Sequence, residues 1–228
     1  MDMIHRLRPD RPAAIKVLLA VLSALLLMTV GCAHHMPIAL DGTTHLYYPG
    51  SSGATLIERF APAFMVYDAQ QPHNRIGRPW AEVDDKGCAS IRIDPDEAVV
   101  FTQQIPFATA TADYTNLVYR IHFPKVPFDL VPFNLTAGRN AGILVVMTVD
   151  RREKLVLVTT VGTCGCYKAL VPTTYLDDKA LPDAWPPLGD RIAIYGEQLP
   201  ARLDVSALDQ PRLLVHLRPD VHRVMNLE

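Results

Sequence analysis

Two nearly continuous apolar, β-branched runs, residues 143–149 and 155–161, are separated by little more than Asp150, Arg151, Arg152 and Glu153. Runs with so few polar positions leave no face for water, and a charged link this short does little except reverse the chain. The pair is therefore expected as a β-hairpin, covered on both faces, at the centre of a sheet. At ~25 cal/mol per Å² of apolar area removed from water, it should supply the largest share of core burial. Val145 and Val158 are the positions where a charge should do most damage.

The flanking sequence extends the same architecture. Residues 98–105 form a β-rich run ended by Pro106, and residues 64–67 read as a further strand. In residues 114–123, Thr115, Leu117, Tyr119, Ile121 and Phe123 point one way, and Tyr114, Asn116, Val118, Arg120 and His122 the other. Short strands are expected at 192–195, 202–205, 213–217 and 222–225. Helical turns are expected only within 54–60 and 175–185, and residues 69–87 read as a polar, turn-prone stretch. With 19 prolines and no long amphipathic helix, the chain is expected to be mainly β, as an antiparallel β-sandwich or barrel-like sheet with one or two short helices. An α+β arrangement is the alternative.

The N-terminus carries a different kind of signal. Arg6, Arg8, Arg11 and Lys16 precede an uncharged apolar stretch, residues 17–30, shorter than the ~20 residues that span a bilayer core. It ends in Met28-Thr29-Val30-Gly31-Cys32, which resembles the lipobox of bacterial lipoproteins, with Thr29 where that family prefers Leu. The resemblance implies a signal peptide over residues 1–31 and a mature chain starting at Cys32, which carries lipid such as palmitate. Ala33, in place of Asp, implies passage to the outer membrane, facing the periplasm. Residues 32–53 are then a tether, and residues 54–228 a single domain. From Cys32 onward the net charge is −4, with no Lys/Arg run. That balance argues against nucleic acid as a partner and leaves the lipid as the membrane attachment.

Cys88, Cys164 and Cys166 remain in the domain. In an oxidising compartment, a disulfide from Cys88 to Cys164 or Cys166 is the expectation. Alternatively, Cys164 and Cys166 form a strained redox bond, or the three thiols hold zinc or another soft metal with a histidine. No other cofactor is implied. Tyr114, Asn116, Arg120 and His122 are candidates for a binding face, with Arg120 suited to a carboxylate or phosphate. The histidines His34, His35, His45, His73, His216 and His222 show no His-Glu-x-x-His spacing. Gly-x-Ser-x-Gly, P-loop and dinucleotide motifs are absent too.

The order of Arg59-Phe60-Ala61-Pro62, an apolar strand and an aromatic strand ending at His122 is distantly similar to the β-sandwich family that includes fungal vacuolar sorting protein 62. Where that family has a His-x-Gly-Asp-Trp-Glu-like stretch, this chain reads Ala141-Gly142-Ile143-Leu144. The resemblance implies a sandwich and no functional residue. The functional expectation is a lipid-anchored binding or envelope-assembly module, taking an envelope protein or small ligand, with no motif that points to catalysis. The alternative is a thiol- or metal-dependent activity at Cys164 and Cys166.

Overall fold

The computed structural model describes residues 15–19, 21, 42–50, 53–128, 136–206 and 212–228. The lipobox and Cys32, with His34 and His35, lie outside the described residues. Among the described residues, no helix is long and apolar enough to cross a membrane.

The domain is mainly β. Five antiparallel strands run as a meander, β5 (Phe101–Ala108), β6 (Asp113–Val126), β7 (Gly138–Asp150), β8 (Leu155–Gly162) and β9 (Ala169–Pro172), in that spatial order. A four-stranded sheet has the order β1 (His45–Tyr47), β2 (Ala63–Val66), β12 (Leu214–Leu217) and β13 (Val224–Leu227), with β2 and β12 parallel. Two hairpins complete it, β3 (Arg78–Val83) with β4 (Ala89–Asp94) and β10 (Arg191–Ile194) with β11 (Glu197–Pro200). The helical content is slight, with α1 (Leu56–Arg59) and 3₁₀ turns at Pro72–Asn74 and Asp178–Ala180. Among the described residues, no sheet closes into a barrel.

One core joins the two larger sheets, as in a sandwich. Leu117, Tyr119, Ile121 and Phe123 of β6 bury fully with Val145 and Met147 of β7 and Val158 of β8. Phe64, Val66, Val215 and Leu217 of the four-stranded sheet belong to the same cluster. The period-2 pattern read from residues 114–123 is thus the buried face of β6. The Tyr119 hydroxyl reaches across the core to donate to the Ile57 carbonyl at 2.7 Å, so α1 is fastened over this face. Burial raises the pKa of that phenol.

β7 is the middle strand of its sheet, where the apolar runs put it, but the second face is not fully covered. Val118, Leu144, Val146, Leu157 and Val161 are only half-buried. A meander makes its connections at the strand ends, so no crossover helix lies over the outer face. Pro106 does not end its strand either. Thr109 donates to the Ala112 carbonyl at 2.8 Å. Alternation from that bonded pair turns Phe101, Gln103, Ile105 and Phe107 towards β6, and Thr102, Gln104, Pro106 and Ala108 towards the open edge. There the missing N–H of Pro106 costs no ladder bond.

Three further elements depart from expectation. His45–Tyr47, assigned to the tether, pairs with β2 as a strand of the domain. The turn-prone stretch before Cys88 contains β3, whose alternation is masked by exposed apolar residues on both faces. Residues 202–205 contribute only an isolated bridge from Leu203 to Thr173.

Candidate functional site

The five-stranded sheet has two ends. At one, Asp150 caps a tight turn: its carboxylate accepts from the backbone N–H of Arg152 and of Lys154, both at 2.8 Å. At the other, β6 leaves, β7 begins and β8 ends in Gly162-Thr163-Cys164-Gly165-Cys166. A cavity of about 250 Å³ opens there. Its walls come from β7 (Arg139 to Ile143), β8 and the following loop (Thr160 to Cys164, and Tyr167), and the β12–β13 connection (Val221 to Val224).

Close backbone approach shapes this end. A Cβ on Gly142 would lie 2.6 Å from the Ile121 carbonyl oxygen and 3.0 Å from Thr163 Cγ2. Only glycine lets β7 pass there, and the Gly142 carbonyl in turn accepts from Thr163 N–H at 2.8 Å. Asn140, Tyr167 and His222 all line the cavity with left-handed backbones, φ 58°, 56° and 54°. For Tyr and His that conformation costs on the order of 1–3 kcal/mol and persists only where surrounding structure enforces it.

His222 is almost wholly buried in the wall, at 3% exposure. Its ring stacks flat on Phe123, centroids 4.0 Å apart. Nε2 lies 3.2 Å from Asn74 Oδ1, which also accepts from Asp220 N–H at 2.7 Å. Since that oxygen only accepts, Nε2 carries the proton and Nδ1 is a bare lone pair. Nδ1 has no hydrogen-bond partner among the described residues. Burial, with His73 adding to it, pushes the pKa of His222 down to about 3, so the ring is neutral at ordinary pH.

Beside it stands a buried charge cluster. Tyr195 and Gly196, both at positive φ, form the two-residue turn that joins β10 to β11 and sets Glu197 at the start of β11. Arg218 and Arg223 face one another across the β12–β13 connection, Arg218 N–H bonding the Arg223 carbonyl at 2.9 Å. Both reach Glu197. Arg218 Nε bonds Oε1 and its Nη2 bonds Oε2 at 2.6 Å, while Arg223 Nε donates to Oε1 at 2.5 Å. Burial alone would raise the pKa of Glu197. The hydrogen bonds and charges of the two arginines outweigh it and hold the carboxyl below its ordinary value. The Arg223 guanidinium also sits 5.5 Å from the centroid of the Tyr167 ring.

Of the described residues named from the sequence as site candidates or histidines, Cys164 and His222 line this cavity. Cys166 is next to it in the loop, and its N–H approaches Cys164 Sγ at 3.4 Å. Cys88 lies in the β3–β4 turn instead, exposed, and no disulfide joins any two of the three. The expected bridge is not present in this structure, and β3 and β4 carry Cys88 on a hairpin of their own. Among the described residues, no three His, Cys, Asp or Glu side chains gather as metal ligands.

Tyr114, Asn116, Arg120 and His122 share the outer face of β6 as expected, without forming a cleft together. Asn116 accepts from Thr148 Oγ1 at 2.8 Å, Tyr114 stacks on Phe107 and His122 meets Phe101 edge-on. Arg120 is exposed, and burial together with Arg120 lowers the pKa of His122. Tyr114 borders a shallow open groove with Phe107, Asp150 and Arg151. The other histidines are accounted for locally: His73 bonds Asp220, His216 bonds the Tyr67 hydroxyl, and His45 is exposed on β1.

Sequence reasoning missed Glu197, Arg218, Arg223 and Asn74. The available signal was the Tyr195-Gly196 turn, which pairs β10 with β11 and turns Glu197 inward. In comparisons with protein-family models, curated proteins and solved structures, nothing matches this chain.

Proposed function

We propose that this chain is a lipid-anchored module of the cell envelope, held at Cys32 and binding a small ligand in the cavity at the far end of the five-stranded sheet. One observation carries the binding part of this reading. Segments distant in sequence converge there on a cavity with left-handed backbones, a buried histidine nitrogen without a partner and a guanidinium. A fold built only for stability gains nothing from leaving such groups unsatisfied. The anchoring part rests on the lipobox-like stretch and its basic, apolar lead.

Two experiments test the reading. Cells expressing the chain and fed labelled palmitate should yield a labelled membrane protein, and Cys32→Ser should release it unlabelled. Native mass spectrometry of protein extracted gently from those cells should show a bound small molecule, absent from Thr163→Trp, which fills the cavity. An unlabelled wild-type chain, or one that carries nothing, contradicts the corresponding half.

Cys164 supports a second reading, a thiol-dependent activity, because it is exposed and lines the same cavity. The backbone N–H of Cys166 lies 3.4 Å from the Cys164 sulfur. Cys164→Ser separates the two: a binding module keeps its ligand, whereas a thiol activity is lost.

A further inference from the structure

Charge is unequally shared inside the cluster behind the cavity. Glu197 and Arg223 are 3% and 5% exposed, and Arg218 is also largely buried. Arg218 takes the two-pronged contact with Glu197, so Arg223 is left with a single bond through Nε. Its two Nη groups donate to nothing among the described residues, although Arg223 lines the cavity. Arg139 lines it too, exposed and without an ion pair among the described residues. Among the described residues, no carboxylate contributes to the lining.

A buried guanidinium with free Nη groups is expensive unless an acceptor meets it, and a planar carboxylate matches its geometry with two parallel bonds. Nearby, His222 offers the opposite need. Its Nδ1 lone pair can only accept, so a bare anion against it would be repelled, and a hydroxyl or amine proton would be welcomed. Val126, Ile143, Val161 and Val224 supply apolar wall.

Resting on the reading of this cavity as a ligand site, we infer that it takes a small organic carboxylate bearing a neighbouring hydrogen-bond donor and an apolar tail. The carboxylate pairs with the Nη groups of Arg223, the donor bonds Nδ1 of His222, and Arg139 draws the anion to the mouth.

The test titrates the full-length chain, in a neutral detergent, with three matched probes: 2-hydroxy-4-methylpentanoate, 4-methylpentanoate and 2-hydroxy-4-methylpentanamide. Calorimetry should rank the hydroxy acid tightest. Removing the hydroxyl should weaken binding about tenfold, because Nδ1 stays unpaired. Replacing the carboxylate by the amide should weaken it by about a hundredfold, the loss of a charge-assisted pair. Arg223→Lys, which keeps a cation for Glu197, should erase most of the preference for acid over amide. Arg139→Gln, at an exposed site that cannot endanger the fold, should cut the acid's affinity severalfold and flatten its salt dependence. Equal binding of acid and amide, both abolished by Thr163→Trp, overturns the carboxylate assignment while leaving the cavity a ligand site. Failure of all three probes overturns the assignment, and the ligand site falls as well if native mass spectrometry also finds nothing bound.

Discussion

The two ends of the five-stranded sheet solve the problem of charge in opposite ways. At the hairpin end, Arg151 pairs with Asp113 and Arg59 with Glu153, all of them in contact with solvent. The turn there is closed by Asp150 on its own neighbours. At the cavity end, Glu197 and Arg223 are buried, Arg218 is largely so, and all three are supplied from outside the five-stranded sheet they adjoin. His222 finds Asn74 from 148 residues away. Water can rescue any broken pair at the first end. At the second, each group depends on a distant partner, and what the partners leave over is available to a ligand. The comparison separates charges that keep a surface soluble from charges that shape a site.

Removing a counter-charge should expose the difference most. Glu197→Ala removes the carboxylate that Arg218 and Arg223 share and is expected to cost about 3–5 kcal/mol in denaturant unfolding. A loss no greater than that of a surface pair would mean that water reaches the cluster. Gly142→Ala tests the backbone of the same end. The Ile121 carbonyl and Thr163 would have to move, for a loss of about 1–3 kcal/mol. An unchanged unfolding midpoint would show that β6 and β7 have slack there.

The buried histidine predicts a pH dependence. Its pKa of about 3 in the fold lies below the ordinary 6.5, so between these values the unfolded chain holds the extra proton. Stability must then rise with pH across that window and fall as pH drops from 6.5 towards 3. His222→Phe keeps the stack on Phe123 and removes the titration. From pH 7 to pH 5 the natural chain should lose on the order of 1–2 kcal/mol more than the variant. Parallel pH profiles would contradict a neutral, buried ring. Smallest of all should be Arg151→Ala at the hairpin end, within about 0.5 kcal/mol of the parent. A larger change would remove the contrast between the ends.

Legibility from sequence follows the same division. Period-2 alternation in residues 114–123 and the apolar runs of β7 and β8 report burial directly, so the central hairpin and the buried face of β6 were readable, while the strand order was not. β3 was hidden because a hairpin exposed on both faces has no alternation to read. Pro106 misled because an open edge forgives what a central strand forbids. The candidate site was almost invisible. His222 and Cys164 could be named but not brought together, and Arg223 looks like any other surface arginine until the β12–β13 connection folds it against Glu197. A site made of long-range partners leaves its mark on distances in space, and local spacing carries little of it.

Hydrogen exchange read by mass spectrometry, with and without 2-hydroxy-4-methylpentanoate, tests the central claim most directly. If the far end of the sheet is a ligand site, residues 138–143, 160–167 and 221–224 gain protection while the turn at 150–154 is unchanged. Protection at the hairpin end, or none anywhere, would contradict a ligand site in this cavity.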